Sequence, residues 1–497
     1  MSIESPTRPG TAGSPGTGTS GGTTADGERP AGEAAPRVRR LPTLTGLRFP
    51  VALLVFLFHA VLPFASIRIF ADSGVERGIY HALGMVAGLT MPFWFMLSGF
   101  ILIWSAREKD TATAFWRRRF AKIVPPYIVA WVVALVLVNG VDGAPTTPLQ
   151  GFLSFFMLQS WVPDVPTNFA VNNVSWSLSA EAFFYLAFPA LFVVLKKIPA
   201  HRLKYWIVGV VAAIAATPLI TYAIIPVGTE VVPNEPGQSA NYFWFAYVLP
   251  AGRLLDFALG MLVGRAVILG RWRNIGLIWS SVLVVATYVA GLYVPWLWGI
   301  RLICVVPAAL LIAAGAIADN EGRFTIFRNR TMVWLGEISF AFYLVHFTVL
   351  EYTRHLLGEG LYSTPAALGI LLGELAVSVL LAWALYSWVE VPLTRRWSRS
   401  RKEREAAEAA KAARAAAKLA AEPSSTVTEP SPAAEPSSAA TEPSPAAEPS
   451  SAVTEPSPAA TGPAPAVIVD APVAAEAPPV PAATTPAAAG SDGRQGL

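Results

Sequence analysis

Charge is scarce in this 497-residue sequence: 14% of its residues are Asp, Glu, Lys or Arg, against ~25% in soluble domains. The apolar residues, 54% of the chain, gather into runs near the ~20 residues that cross a bilayer, which excludes an ordinary soluble domain. Cysteine is scarcer still. The single one, Cys304, excludes a disulfide framework within one chain. The first forty residues are rich in Gly, Ser, Thr and Pro and contain no apolar stretch. No cleavable signal peptide is read there, and the first membrane helix is expected to act as an uncleaved signal.

What is present is a series of apolar segments. They predict an all-α, polytopic membrane helix bundle of about ten transmembrane helices with disordered termini. The expected spans are 47–66, 84–104, 123–139, 177–195, 205–225, 242–264, 275–294, 300–318, 331–350 and 366–388. A shorter run, Gly151 to Trp161, is expected to be interfacial or re-entrant. The domain reading is a disordered arm over 1–40, a transmembrane domain over 41–397, a charged Ala-rich segment with helical tendency over 398–421, and a disordered tail over 422–497. In that tail TEPSPAAEPSSA starts at Thr428 and again at Thr441, and proline at that density blocks helix and sheet.

Lys and Arg alternate between loops. Segment 105–122 carries Arg107, Lys109, Arg117, Arg118, Arg119 and Lys122; 196–204 carries Lys196, Lys197, Arg202 and Lys204. Segments 265–274 and 319–330 are also basic, whereas the intervening loops hold only Arg68, Arg77, Arg301 and Arg354. The positive-inside rule then expects an even helix count, a multi-pass protein of the cell membrane, and both termini in the cytoplasm.

An ionisable group inside a membrane is a functional candidate by default. Arg48 and His59 lie eleven residues apart in the first span, about three helical turns and ~16 Å, so they share one face. His59 is a candidate general base; alternatively it is a packed polar residue, and Arg48 a helix-end anchor. Glu181, in WSLSAEAFFYLAFP, is either a carboxylate that orients a histidine or a helix-start acid favoured by the dipole. Ser339, Tyr343 and His346 fall at i, i+4 and i+7 of ISFAFYLVHF, one polar stripe on an apolar helix. The topology places His346 at a depth similar to that of His59 and Glu181. Arg117, Arg118 and Arg119 in FWRRRFAKIVPPY suit a phosphate-rich ligand or mark the positive-inside signal and anionic headgroups. Arg253 and Asp256, three apart, are expected to neutralise each other.

Taken together these segments resemble the membrane acyltransferase type 3 family, the O-acyltransferases that modify glycans, lipids and natural products. The Arg48–His59 spacing, SGF within FWFMLSGFIL, the basic FWRRRFAKIVPPY, WSLSAE with Glu181, ISFAFYLVH, and the closing VEVP with Glu390 and Pro392 occur in the family's order across about 41–397. The resemblance implies transfer of an acyl group, in the first instance acetyl, from acyl-coenzyme A to a hydroxyl of a glycan, lipid or natural-product sugar. Acyl-coenzyme A is a co-substrate, and no bound cofactor, metal or nucleic-acid partner is expected. The resemblance makes Arg48, Arg117, Arg118, Arg119 and Ser339 donor- or substrate-side residues, with His59, Glu181, Tyr343 and His346 catalytic. Lys122 stands where the family leads one to expect another arginine. No fused extracytoplasmic esterase-like domain is read, so the acceptor is acylated directly or through a separate partner. From residue chemistry alone a transporter using the same intramembrane His, Glu and Arg stays open, as does a scaffold acting through the tail.

Overall fold

The computed structural model describes residues 40–62, 67–106, 110–140, 145–231, 238–358 and 360–398, together with 409, 412–414 and 416. The chain divides after Glu422. The N-terminal arm, Arg107, Lys109 and the repeat tail lie outside the described residues. Within 398–421, positions 409, 412–414 and 416 are helical.

Helix α1 (Pro42–His59) starts on a proline, whose fixed φ suits a first helical position, and has no side-chain cap of its own. Asp319 supplies one from a distant helix. Its carboxylate accepts from the Thr43 amide at 2.9 Å and from the Thr43 hydroxyl at 2.6 Å, placing negative charge at the positive end of α1. Helix α2 (Ser73–Leu83), capped by Asp72, leads into α3 (Val86–Ser105), and α4 covers Ala112–Gly140. Two short helices, α5 (Pro148–Phe155) and α6 (Val165–Asn168), precede α7 (Trp176–Lys197) and α8 (Leu203–Ile224). Then come α9 (Ala240–Phe243), α10 (Pro250–Ile268), α11 (Leu277–Gly291), α12 (Trp296–Trp298) and α13 (Val305–Asn320). The last are α14 (Arg330–Leu357), α15 (Thr364–Leu385) and α16 (Val391–Trp397). Single π-helical segments join α9 to α10 (Trp244–Val248), α12 to α13 (Gly299–Ile303) and α15 to α16 (Tyr386–Glu390).

Nine helical stretches among the described residues are long and apolar enough to cross a membrane, and α11, of 15 residues, is a shorter apolar helix. Each expected span has a helical counterpart, and the described residues contain only two isolated β-bridges and no strand. The protein is an all-α, multi-pass membrane bundle. Several boundaries move. The first span is 42–59 rather than 47–66, so Arg48 stands inside the helix and His59 ends it. Helix α4 begins at Ala112, so Arg117, Arg118, Arg119 and Lys122 are helical rather than in a loop. Arg301, counted from sequence as a loop residue, is fully buried in a π-helical turn.

Small residues let two helix pairs approach closely, as membrane packing favours. A Cβ on Gly260 of α10 would sit 2.0 Å from the Met96 carbonyl oxygen of α3, and one on Gly336 of α14 would sit 1.8 Å from the Thr45 carbonyl oxygen of α1. The second crossing holds α1 against α14 and so brings their histidines face to face.

Between α10 and α13 lies a buried charged triad. Asp256 takes Arg253 at 3.1 Å and Arg301 at 3.0 Å. Arg253 also donates to the Tyr247 carbonyl at 2.7 Å and Arg301 to the Gly252 carbonyl at 3.0 Å. The expected Arg253–Asp256 pairing is present, and a third member, Arg301, joins it from the π-helical turn before α13.

Candidate active site

His59 Nδ1 lies 2.9 Å from His346 Nε2. The rings are parallel within 2°, with centroids 5.2 Å apart. His346 Nδ1 lies 2.9 Å from the Tyr343 carbonyl oxygen and 3.2 Å from that of Phe342. A carbonyl only accepts, so in the neutral pair His346 carries its proton on Nδ1 and presents a lone pair at Nε2. His59 Nδ1–H must therefore donate to it, which leaves His59 Nε2 bare. His346 is fully buried and stacks on Phe342, while Phe347 meets His59 edge-on. Only His59 reaches the adjoining cavity of about 180 Å³. His346 thus fixes the orientation of the His59 ring, and His59 faces the cavity.

Tyr343, one turn before His346, also lines that cavity. Its hydroxyl donates to the Val174 carbonyl at 3.0 Å and meets the Ser177 hydroxyl at 2.9 Å. It braces α14 against the start of α7. Ser339 donates to the Gly336 carbonyl at 2.8 Å within its own helix.

Tyr343 and Met91 are shared with a smaller cavity of about 70 Å³, whose walls include Arg48, Trp94, Glu181 and Ser339. Arg48 lies over the Trp94 ring at 5.3 Å. Among the described residues its guanidinium makes no hydrogen bond or ion pair. Glu181 accepts from the Tyr185 hydroxyl at 2.7 Å and makes no hydrogen bond to either histidine. The sequence idea of a carboxylate orienting a histidine is thus replaced: His346 orients His59, and Glu181 stands with Tyr185 within electrostatic reach of Arg48. Lys122 and the buried Glu390, from α4 and the last π-helical segment, share that electrostatic neighbourhood.

The three arginines diverge. Arg118 pairs with Asp110. Arg117 points to the Ser398 carbonyl at 3.4 Å. Arg119 sits over the rings of Phe115 and Tyr185, at 5.6 and 5.7 Å, with a buried Nε that has no hydrogen-bond partner. Arg118, Arg119 and Lys196, with Asp110, line a cavity of about 500 Å³. Arg119 of this basic cavity lies over Tyr185, whose hydroxyl donates to Glu181 in the wall of the Arg48 cavity, and the Arg48 cavity shares Met91 and Tyr343 with the chamber of His59.

Sequence reasoning missed Tyr185, Trp94 and the loop before α7, and it met Glu390 only as part of the closing VEVP motif. That loop is tied down by buried amides: Asn168 donates to the carbonyls of Gln159 and Val162, both at 2.8 Å, and Asn172 to that of Leu344 at 3.0 Å. The run of buried Gln, Ser and Asn between Gln159 and Ser175 was the available signal, since a membrane-embedded loop must satisfy its backbone within the protein.

The family model described as "Acyltransferase domain" matches residues 41–386. The chain belongs to the membrane acyltransferase type 3 family. It is 40% identical over 376 residues to the acyltransferase MdmB of Streptomyces mycarofaciens, covering 74% of this chain and 95% of that protein. It is 22% identical over 365 residues to the O-acetyltransferase OatA of Staphylococcus aureus, covering 67% of this chain and 57% of that one. The peptidoglycan O-acetyltransferase OatA of Listeria monocytogenes is 24% identical over 332 residues, covering 61% and 50%. The chain thus spans about half the length of the two OatA proteins. No solved structure matches. Membership makes the chain an enzyme, an O-acyltransferase moving groups other than aminoacyl groups, and the transporter and scaffold readings give way to it.

Proposed function

We propose that this enzyme moves an acyl group, acetyl in the first instance, from acyl-coenzyme A to a hydroxyl of an acceptor held in the His59 chamber. The donor's phosphates lie at the basic cavity, with Arg119 the principal contact because its guanidinium is not consumed by a carboxylate. Arg118, already paired with Asp110, contributes less. The thioester end extends past Arg48 towards His59. His59 Nε2 takes the proton from the acceptor hydroxyl as its oxygen attacks the thioester carbon. The new C–O bond forms, the C–S bond breaks, and the proton held by His59 passes to the departing coenzyme A sulfur. His346 accepts from His59 Nδ1–H throughout, so the imidazolium forms without losing its orientation. Arg48, on the donor side of the chamber, supplies positive charge where the thioester oxygen gains negative charge.

The observation that carries this reading is the tautomer-locked histidine pair, whose cavity-facing member, His59, opens on a chamber adjoining the Arg48 cavity, with the basic Arg118–Arg119 mouth linked to that cavity through Tyr185 and Glu181. The alternation of basic loops supports a cytoplasmic position for that mouth and for both termini. Direct transfer needs no separate extracytoplasmic partner, because His59 itself opens into the acceptor chamber. The test is mass spectrometry of extractable glycans, lipids and small molecules from cells with and without the gene. Loss of one acyl mass increment from one compound class supports the reading; identical ester profiles contradict it.

A further inference from the structure

The chamber of His59 differs in chemistry from the basic cavity. Among the described residues no Asp, Glu, Lys or Arg lines it. Its walls are aromatic, with Phe58, Tyr80, Phe169, Trp176, Phe243 and Trp296 among them. Its hydroxyls are mostly occupied by the protein's own backbone. Thr90 donates to the Val86 carbonyl at 2.8 Å, Tyr247 to that of Ala87 at 3.0 Å, and Tyr343 to that of Val174 at 3.0 Å. Besides His59, the side chains of Asn173 and Gln238 line the chamber and make no hydrogen bond among the described residues. At about 180 Å³ the chamber is smaller than the ~300–1,000 Å³ of common small-molecule clefts.

From this geometry we infer that the acceptor is an uncharged, largely apolar hydroxyl compound, of which one ring or its equivalent enters the chamber, rather than a charged or polymeric wall glycan. The inference rests on the acyl-transfer reading above and narrows its substrate. An ionised acceptor would shed its hydration with no counter-ion to meet it. A polysaccharide strand would bury several hydroxyls against mainly aromatic and aliphatic walls with few polar side chains beside His59, Asn173 and Gln238, and each hydroxyl left unpaired opposes binding. A ring with an apolar face meets neither difficulty, because aromatic walls stack against it, while the amides fix its orientation so that one hydroxyl faces His59.

The purified full-length protein, given acetyl-coenzyme A, is offered three probes: p-nitrophenyl glucoside, p-nitrophenyl glucuronide and cellotriose. The first two differ by one carboxylate, and the third lacks the apolar part. Ester formation is followed by mass spectrometry, and coenzyme A binding is measured by calorimetry on the same preparation. The expected result is a kcat/KM for the glucoside at least about tenfold above the other two. Asn173→Ala should then lower kcat/KM for the glucoside and leave the KM for acetyl-coenzyme A unchanged. Equal or better transfer to glucuronide or cellotriose, or bound coenzyme A with no probe esterified, overturns the acceptor class and leaves the acyl-transfer reading standing. Absence of coenzyme A binding overturns that reading itself.

Discussion

Replacing His346 tests the orientation argument on its own. His346→Ala removes the acceptor that lies 2.9 Å from His59 Nδ1 and leaves that N–H without a partner beside a chamber walled by aromatic rings. A buried donor so orphaned costs about 1–3 kcal/mol. If that energy is lost only in the transition state, where His59 becomes cationic, kcat falls by about 5- to 150-fold at ~1.4 kcal/mol per decade. The KM for acyl-coenzyme A should not move, because His346 is fully buried and does not line the basic cavity. His346→Gln sharpens the test. A glutamine amide oxygen can occupy the place of Nε2, so this variant should keep activity within about tenfold of wild type. The double variant lacking both histidines should be no worse than His59→Ala alone, since the two act as a unit. The assay is acetyl transfer from acetyl-coenzyme A in detergent, normalised to folded protein by thermal unfolding. Undiminished kcat in His346→Ala, with the variant folded, would refute the reasoning. So would a glutamine variant as impaired as the alanine one.

Other consequences follow from single contacts. Arg119→Ala should raise the KM for acetyl-coenzyme A by about tenfold, the scale of one charge-assisted hydrogen bond. Arg118→Ala should raise it less, because Asp110 already engages that side chain; initial-rate kinetics at two salt concentrations separate the two. Gly260→Ala drives a Cβ to 2.0 Å from the Met96 carbonyl, and overpacking of that kind costs about 1–3 kcal/mol or more, so a lower midpoint of thermal unfolding is expected. Asp319→Ala removes the carboxylate that caps α1. A helix cap is worth about 0.5–2 kcal/mol, to be read as a loss of stability in the same unfolding assay.

Hydrophobic runs made the bundle legible, because the length of an apolar segment is a property of the sequence alone. The eleven-residue step from Arg48 to His59 and the stripe Ser339–Tyr343–His346 were legible for the same reason: helical periodicity assigns a face before any neighbour is known. What sequence could not supply was the partner across the gap. Among the described residues no histidine stands across the gap from Glu181, which takes Tyr185, four residues on in its own helix, instead. Arg301 looked like a loop charge because its counter-charge, Asp256, is 45 residues away. The π-helical turns that present Arg301 and Glu390 leave no mark on a hydropathy profile, since one extra residue in a turn changes neither length nor composition. Three consecutive arginines read as one basic patch, yet helical geometry sends each ~100° from the last, and it is Arg119 whose Nε is buried without a hydrogen-bond partner.

The most direct test of the central claim is the His59→Ala variant of the full-length protein, compared with wild type for ester formation from acetyl-coenzyme A at matched levels of folded protein. Loss of a positioned general base lowers a rate by about 10²–10⁴-fold, and the account predicts a fall of that size in kcat with coenzyme A binding intact. Full transfer activity in a folded His59→Ala protein would contradict it.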